Sequence, residues 1–136
     1  MVLLLIFFFY HQLKHTGFYT AKFGLAEMVA LYLPILISMI PPILRVALGR
    51  PNPAQFADIV SDLCLTIGSI WLRHTFPFNF AHIADVFPSA LNFAFGWLND
   101  NVGRFILLLQ IVIGSISALA STATYLRARK EKPKSE

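Results

Sequence analysis

The chain has 136 residues, of which 57% are hydrophobic and only 13% are charged, and its net charge is +4. An average soluble domain has about 25% charged residues, so this composition excludes an ordinary soluble domain and predicts an all-α integral membrane protein. Residues 1–126 form a single helical transmembrane domain in this prediction, and residues 127–136 form a basic C-terminal tail. The single cysteine, Cys64, excludes an internal disulfide and a cysteine-based metal site.

The N-terminal segment "MVLLLIFFFY" is apolar but too short to cross a bilayer alone, which needs about 20 residues. A signal peptide fits badly, because no basic residue precedes the apolar run and no small-residue cleavage site follows it. We therefore predict a short or half-length first helix. It becomes a fifth spanning helix only if the polar residues from His11 to His15 are included.

Two proline-containing segments follow and are long enough to span. Gly24–Gly49 holds three prolines, which remove backbone donors and predict kinks: Pro34, Pro41 and Pro42. Arg50–Pro53 then predicts a turn, and Pro53–Phe76 is the next helix, beginning with a proline that suits a first helical turn.

The C-terminal half contains two further apolar segments, Asn79–Asn99 and Val102–Leu126, separated by short loops. The sequence therefore predicts about four transmembrane helices. For Asn79–Asn99, the narrow polar face without Lys or Arg and a small excess of basic residues on the inner side favour a kinked spanning helix. A re-entrant or tilted helix is the alternative. The basic tail predicts that the C-terminus lies on the cytoplasmic side, or the matrix or stromal side of an organelle.

Each predicted helix has one narrow stripe of polar or small residues. The stripe of the last helix is typical of close helix packing, because small side chains let backbones approach; it includes Gly103, Gly114, Ser117 and Ser121. A water-filled path along the stripes is the alternative, and it requires polar groups more costly to bury than serine and glycine.

Charged residues inside apolar helices are usually paired or functional. Folding the chain back at its predicted turns suggests three pairings: Arg45 with Asp58, Arg73 with His82 and Asp85, and Lys14 with Glu27. Such buried pairs commonly fix helix register rather than carry out chemistry.

Asp62 remains without a partner in this scheme and lies near the middle of its helix. An unpaired carboxyl at that depth can relay a proton or bind a cation, with Asp58 and Asn92 as further ion or proton candidates. The alternative is a protonated carboxyl hydrogen-bonded to Thr66, Ser38 or a partner subunit.

Histidines raise the question of cofactors. His74 and His82 flank the turn at "TFPFN" and are weak candidates for ligating a haem or a chlorophyll-type pigment. His11 and His15 have a spacing that can hold a metal, but no carboxylate or cysteine joins them nearby, so we predict interfacial histidines and no metal site.

The sequence contains no catalytic set, no phosphate-binding loop and no folded basic surface for nucleic acid, so we predict a protein that is not an enzyme. The expected function is a small accessory subunit of a multi-subunit membrane complex, with other membrane subunits and lipids as partners. A homo-oligomeric channel or proton or cation transporter is the first alternative. A haem- or pigment-associated subunit is the second.

Overall fold

The structure is a computed structural model that describes residues 1–48, 51–82, 97 and 99–130. This part of the chain is helical, with the elements α1 (Val2–Leu13), α2 (Leu25–Ile37), α3 (Ile40–Leu48), α4 (Pro51–Thr75) and α5 (Asp100–Lys130). Three stretches are long and apolar enough to cross a membrane: Leu25–Leu48, Pro53–Thr75 and Asp100–Ala128. The predicted all-α class is confirmed, and three of the about four predicted spanning helices have the necessary length and composition in the described part.

The first helix, α1, has 12 residues and is about 18 Å long at 1.5 Å per residue, which is too short to cross a bilayer. It is the short first helix that the sequence predicts. Leu5 and Phe8 pack against the core, whereas Leu3 is 82% exposed.

The first spanning stretch, Leu25–Leu48, is broken between α2 and α3. Pro41 and Pro42 lie in the first turn of α3 and have no N–H to donate to the carbonyls four residues earlier, so the hydrogen-bond ladder stops at this point. Ser38, which follows α2, donates its hydroxyl to the Ile35 carbonyl at 2.7 Å. The predicted proline distortion is therefore an interruption between two helices, while Pro34 lies inside α2.

Helices α4 and α5 form a long antiparallel pair. Three contacts along it join Arg73 to the Arg104 carbonyl, Asp62 to Ser121, and the Phe56 ring to the Tyr125 ring. α4 begins at Pro51 rather than after the predicted turn, so Pro51 to Pro53 belong to its first turn. α5 continues to Lys130 and so includes the first residues of the predicted basic tail.

α4 is the central helix of the described part. It packs against α5 on one side and against α2 and α3 on the other, while α2 and α5 have little or no contact with each other. Within the described residues, the helices therefore form an open layer with α4 at its centre.

An aromatic cluster closes one end of this layer, where the loop after α1 pairs with the segment after α4. Tyr19 and Phe78 form an antiparallel β-bridge, in which Asn79 N–H donates to the Phe18 carbonyl at 2.7 Å. Phe18 is 1% exposed, and Phe76 and Phe78 pack around it. We call this end of the molecule the aromatic end.

The start and the finish of the predicted Asn79–Asn99 helix both lie at the aromatic end. The Phe80 N–H donates to Asp100 Oδ1 at 3.1 Å, and the Phe80 ring packs directly on Gly103. A helix that crossed the hydrocarbon once would separate its two ends by about 30 Å. The two ends of the predicted helix are therefore adjacent, and residues 83–96 and 98 between them lie outside the described part.

Candidate functional site

Asp62 lies in the seam between α4 and α5. Its Oδ2 accepts a hydrogen bond from Ser121 Oγ at 3.4 Å, and its backbone carbonyl accepts one from Thr66 Oγ1 at 2.8 Å. Gly114 faces the same seam, because a Cβ atom built on it would lie 2.5 Å from Thr66 Oγ1. Asp62 is therefore held among helix-packing residues; Asn92, the other polar candidate, lies outside the described part.

The predicted packing stripe of α5 divides between two neighbours. Gly114 and Ser121 face α4, as expected for close helix packing. Gly103 instead lies under the Phe80 ring at the aromatic end, where a Cβ would come within 2.4 Å of two ring atoms. Ser117 is half-buried.

Arg45 and Asp58 form the one ion pair of the described residues, and it joins α3 to α4. The Arg45 side chain is 55% exposed and that of Asp58 is 23% exposed. Arg45 thus pairs with Asp58 and not with Asp62. The pair lies at the open edge of the helix layer, opposite the aromatic end, rather than in the buried position that was predicted.

Arg73 does not form its predicted ion pair with His82. Its guanidinium donates to the Arg104 carbonyl at 2.7 Å, which connects the end of α4 to the first turn of α5. The His82 ring packs against Gly17, and its buried Nε2 has no hydrogen-bond partner among the described residues. Asp85, the other predicted partner, lies outside the described part.

Glu27 has hydrogen-bond partners other than the predicted Lys14. Glu27 is 8% exposed and accepts hydrogen bonds from the Gly24 N–H at 3.0 Å and from the Trp71 indole at 3.2 Å. It is the third residue of α2, where a carboxylate caps the free backbone donors of the first turn. Glutamate three positions after a glycine that starts an apolar run is the sequence signal for this role.

The two histidines proposed as cofactor ligands line different surfaces. His74 borders a shallow, mainly apolar hollow with Ile67, Ile70 and Trp71. His82 lies behind Gly17, at the loop after α1. Within the described residues, no group of three or more His, Cys, Asp or Glu side chains is placed to hold a metal ion.

An apolar groove of about 690 Å³ runs between α2 and α4. The two helices come close at Gly68, where a Cβ atom would lie 2.5 Å from the Ala30 carbonyl oxygen. Pro34 leaves that carbonyl without its usual helical donor, and glycine lets the α4 backbone come close to it. Trp71 borders the groove near the aromatic end, and Cys64 borders it deeper along α4.

Comparisons of this chain with protein-family models, with curated proteins and with solved structures found no match.

Proposed function

We propose that this chain is an integral membrane protein that acts as a non-catalytic accessory subunit of a larger membrane complex, through helix–helix and lipid contacts. The observation that carries the proposal is the open helix layer. Only 22% of the most apolar window of Leu25–Leu48 and 11% of that of Asp100–Ala128 are buried within the chain. These helices leave most of their apolar surface for other molecules to cover.

One exposed face of α5 has the composition of a helix-packing surface rather than of a purely lipid-facing one. Ala120 and Thr124 are exposed, lie one turn apart and are small. Ile113 and Ile116, which are 57% and 62% exposed, continue the same face. Two small residues one turn apart let another helix approach closely, whereas lipid chains need no such gap. This face supports a protein partner.

The distribution of basic residues supports a proposed orientation of the chain. Arg45 lies at the end of the layer opposite the aromatic end, and Arg127 and Lys130 lie at the same end on α5. Basic residues next to spanning helices favour the cytoplasmic, matrix or stromal side. We place the C-terminus on that side.

The partner surface can be tested by co-purification from a mild detergent. We expect the tagged wild-type chain to bring down other membrane proteins in a constant ratio, and Ala120→Phe to abolish their recovery because the ring fills the gap on the α5 face. The matched control is Ala47→Phe, which places the same ring at an exposed site on α3 and is expected to retain the partners. A wild-type chain that purifies alone, or variants that behave identically, contradicts the proposal.

A second candidate function is proton or cation transport through Asp62, alone or in a homo-oligomer. It is favoured by the position of this carboxyl inside a spanning helix, with one serine hydroxyl at 3.4 Å as its side-chain partner. A charged side chain at mid-membrane costs about 2.5–3.5 kcal/mol on insertion scales. A carboxyl group that carries this free-energy cost without a strong ion pair is typical of a functional site.

For this second candidate, Asp62→Asn is expected to abolish ion or proton flux in proteoliposomes while leaving the fold intact, because the amide oxygen still accepts from Ser121. Asp100→Asn changes a carboxylate at the start of α5 and is the control that keeps full flux. Fluorescent pH or cation indicators inside the vesicles provide the measurement. Absence of flux in the wild-type chain, or equal flux in Asp62→Asn, eliminates the transport function.

A further inference from the structure

A cavity of about 330 Å³ lies where the end of α1, the loop that follows it and the first turns of α2 meet. Its volume falls in the range of small-molecule pockets, about 300–1,000 Å³. Its polar lining comes from His11, Gln12, His15 and Thr20. The packing function proposed above makes no use of this cavity.

The apolar lining of the cavity is aromatic. The rings of Tyr19 and Phe23 lie 4.0 Å apart at an interplanar angle of 31°, and the Met28 side chain completes this side. Aromatic faces and a thioether favour contact with another flat ring.

The loop that forms the cavity wall is held in an unusual shape. Gly17 has a φ of 95° and His15 a φ of 46°, in the left-handed region that non-glycine residues rarely adopt. Thr16 Oγ1 and His11 Nδ1 share a hydrogen bond of 2.5 Å that fixes the loop to α1. Tyr32 donates to Gln12 Oε1 at 2.6 Å and fixes the amide of that side chain. The polar groups are thus positioned before any ligand arrives.

The hydrogen-bond capacity left in the cavity consists mainly of donors. Gln12 Nε2 has only a long contact of 3.8 Å to Met28 Sδ. Thr20 Oγ1 accepts from the Lys22 N–H at 3.4 Å, which leaves its own proton to donate. His11 retains Nε2, which donates or accepts according to its tautomer. These groups match a ligand with carbonyl oxygens.

The cavity also lacks the charge that an anionic ligand requires. No lysine or arginine lines it. Burial, and to a smaller degree the neighbouring His82, lowers the pKa of His11, which favours the neutral form of this imidazole. The cavity offers no fixed positive charge to bind a phosphate group. A neutral carbonyl compound does not need a positively charged partner.

We propose that this cavity binds the head group of a membrane quinone, a flat, neutral ring with carbonyl acceptors on opposite edges. The aromatic wall stacks on the ring, and the spare donors of Gln12 and Thr20, with His11 Nε2, bind the carbonyl oxygens. A cavity at the end of spanning helices lies at the depth where a membrane-dissolved amphiphile carries its polar head. This site is separate from the α5 face proposed to bind a protein partner.

The test is equilibrium binding of decylubiquinone to the full chain in phosphatidylcholine nanodiscs, with uptake by empty nanodiscs subtracted. We expect saturable binding of one molecule per chain. Thr20→Val and Gln12→Leu each remove one proposed hydrogen bond to the quinone with little change in side-chain shape, and each should raise Kd about tenfold. Thr75→Val is the matched control, because that hydroxyl binds the Trp71 carbonyl outside the cavity, and its Kd should equal that of the wild type.

Uptake that does not saturate above the empty-nanodisc level overturns the proposal, as does an unchanged Kd in both Thr20→Val and Gln12→Leu. Displacement of the probe by phosphatidylglycerol but not by a short-tailed menaquinone assigns the cavity to a lipid head group and also overturns it. Because the isolated chain is used, these results are independent of whether the chain has a protein partner.

Discussion

Gly68→Ala is expected to force α2 away from α4 and to destabilise the chain by about 1–3 kcal/mol, the usual cost of overpacking. The added Cβ would lie 2.5 Å from the Ala30 carbonyl oxygen and 2.9 Å from Pro34 Cγ. A backbone oxygen and a proline ring cannot rotate out of the way as a flexible side chain does. Unfolding by increasing fractions of sodium dodecyl sulfate in mixed micelles, followed by circular dichroism, measures the change.

The matched comparison is Gly114→Ala, in the seam between α4 and α5. There the nearest atom is the Thr66 hydroxyl at 2.5 Å, which belongs to a side chain that can be shortened. The double variant Gly114→Ala/Thr66→Ala should therefore recover the stability that the single variant loses, since it removes the clashing oxygen. A Gly68→Ala chain as stable as the wild type would show that α2 and α4 are not in contact through Ala30.

Single cysteines at Ala81 and Asn101 are expected to react with a membrane-impermeant maleimide from the same side of the membrane. Both residues are exposed, and they flank the hydrogen bond that joins Phe80 to Asp100 at the aromatic end. A third cysteine at Lys130, at the far end of α5, should react only from the opposite side. The measurement compares labelling of sealed vesicles in both orientations, in a background where Cys64→Ala removes the native thiol.

Each cysteine should be labelled from only one side of the vesicle membrane, because the maleimide does not cross the hydrocarbon core. Labelling at Ala81 and Asn101 from opposite sides would mean that the intervening segment crosses once, and the contact between Phe80 and Asp100 would then be absent from the membrane-embedded protein. Labelling of Lys130 from the same side as Asn101 would mean that α5 does not span.

Local features of the sequence were sufficient to predict the positions of the helices. The apolar runs mark the spanning stretches, and the Pro41–Pro42 pair marks the break before α3, because both depend on residues close together in the chain. The pair of Arg45 and Asp58 was also predictable from the sequence. Two residues at similar distances before and after a turn lie at similar depths in the two helices that the turn joins, and these two residues flank the turn near Pro51. These predictions require no knowledge of distant contacts.

Contacts between residues that are distant in the chain could not be predicted from local sequence features. The Trp71 indole that binds Glu27 lies 44 residues further along the chain, and charge alone suggested Lys14 instead. Phe76 has a φ of 39°, an uncommon conformation that its residue type does not indicate, and this turn directs the next residues onto the loop after α1. The cavity at the end of α1 is formed in part by that loop. From the sequence alone, its polar lining residues were therefore visible only as separate polar residues near a helix end.

The β-bridge between Tyr19 and Phe78 has a consequence for biogenesis. The loop after α1 cannot acquire its partner until the ribosome has made α2, α3 and α4 and the end of α4 has reached the same membrane face. Until then, α1 is too short to insert across the bilayer by itself and has the apolar residues of its inner face uncovered. Although α1 precedes α2, α3 and α4 in the chain, it can therefore reach its final position only after α4 has been made.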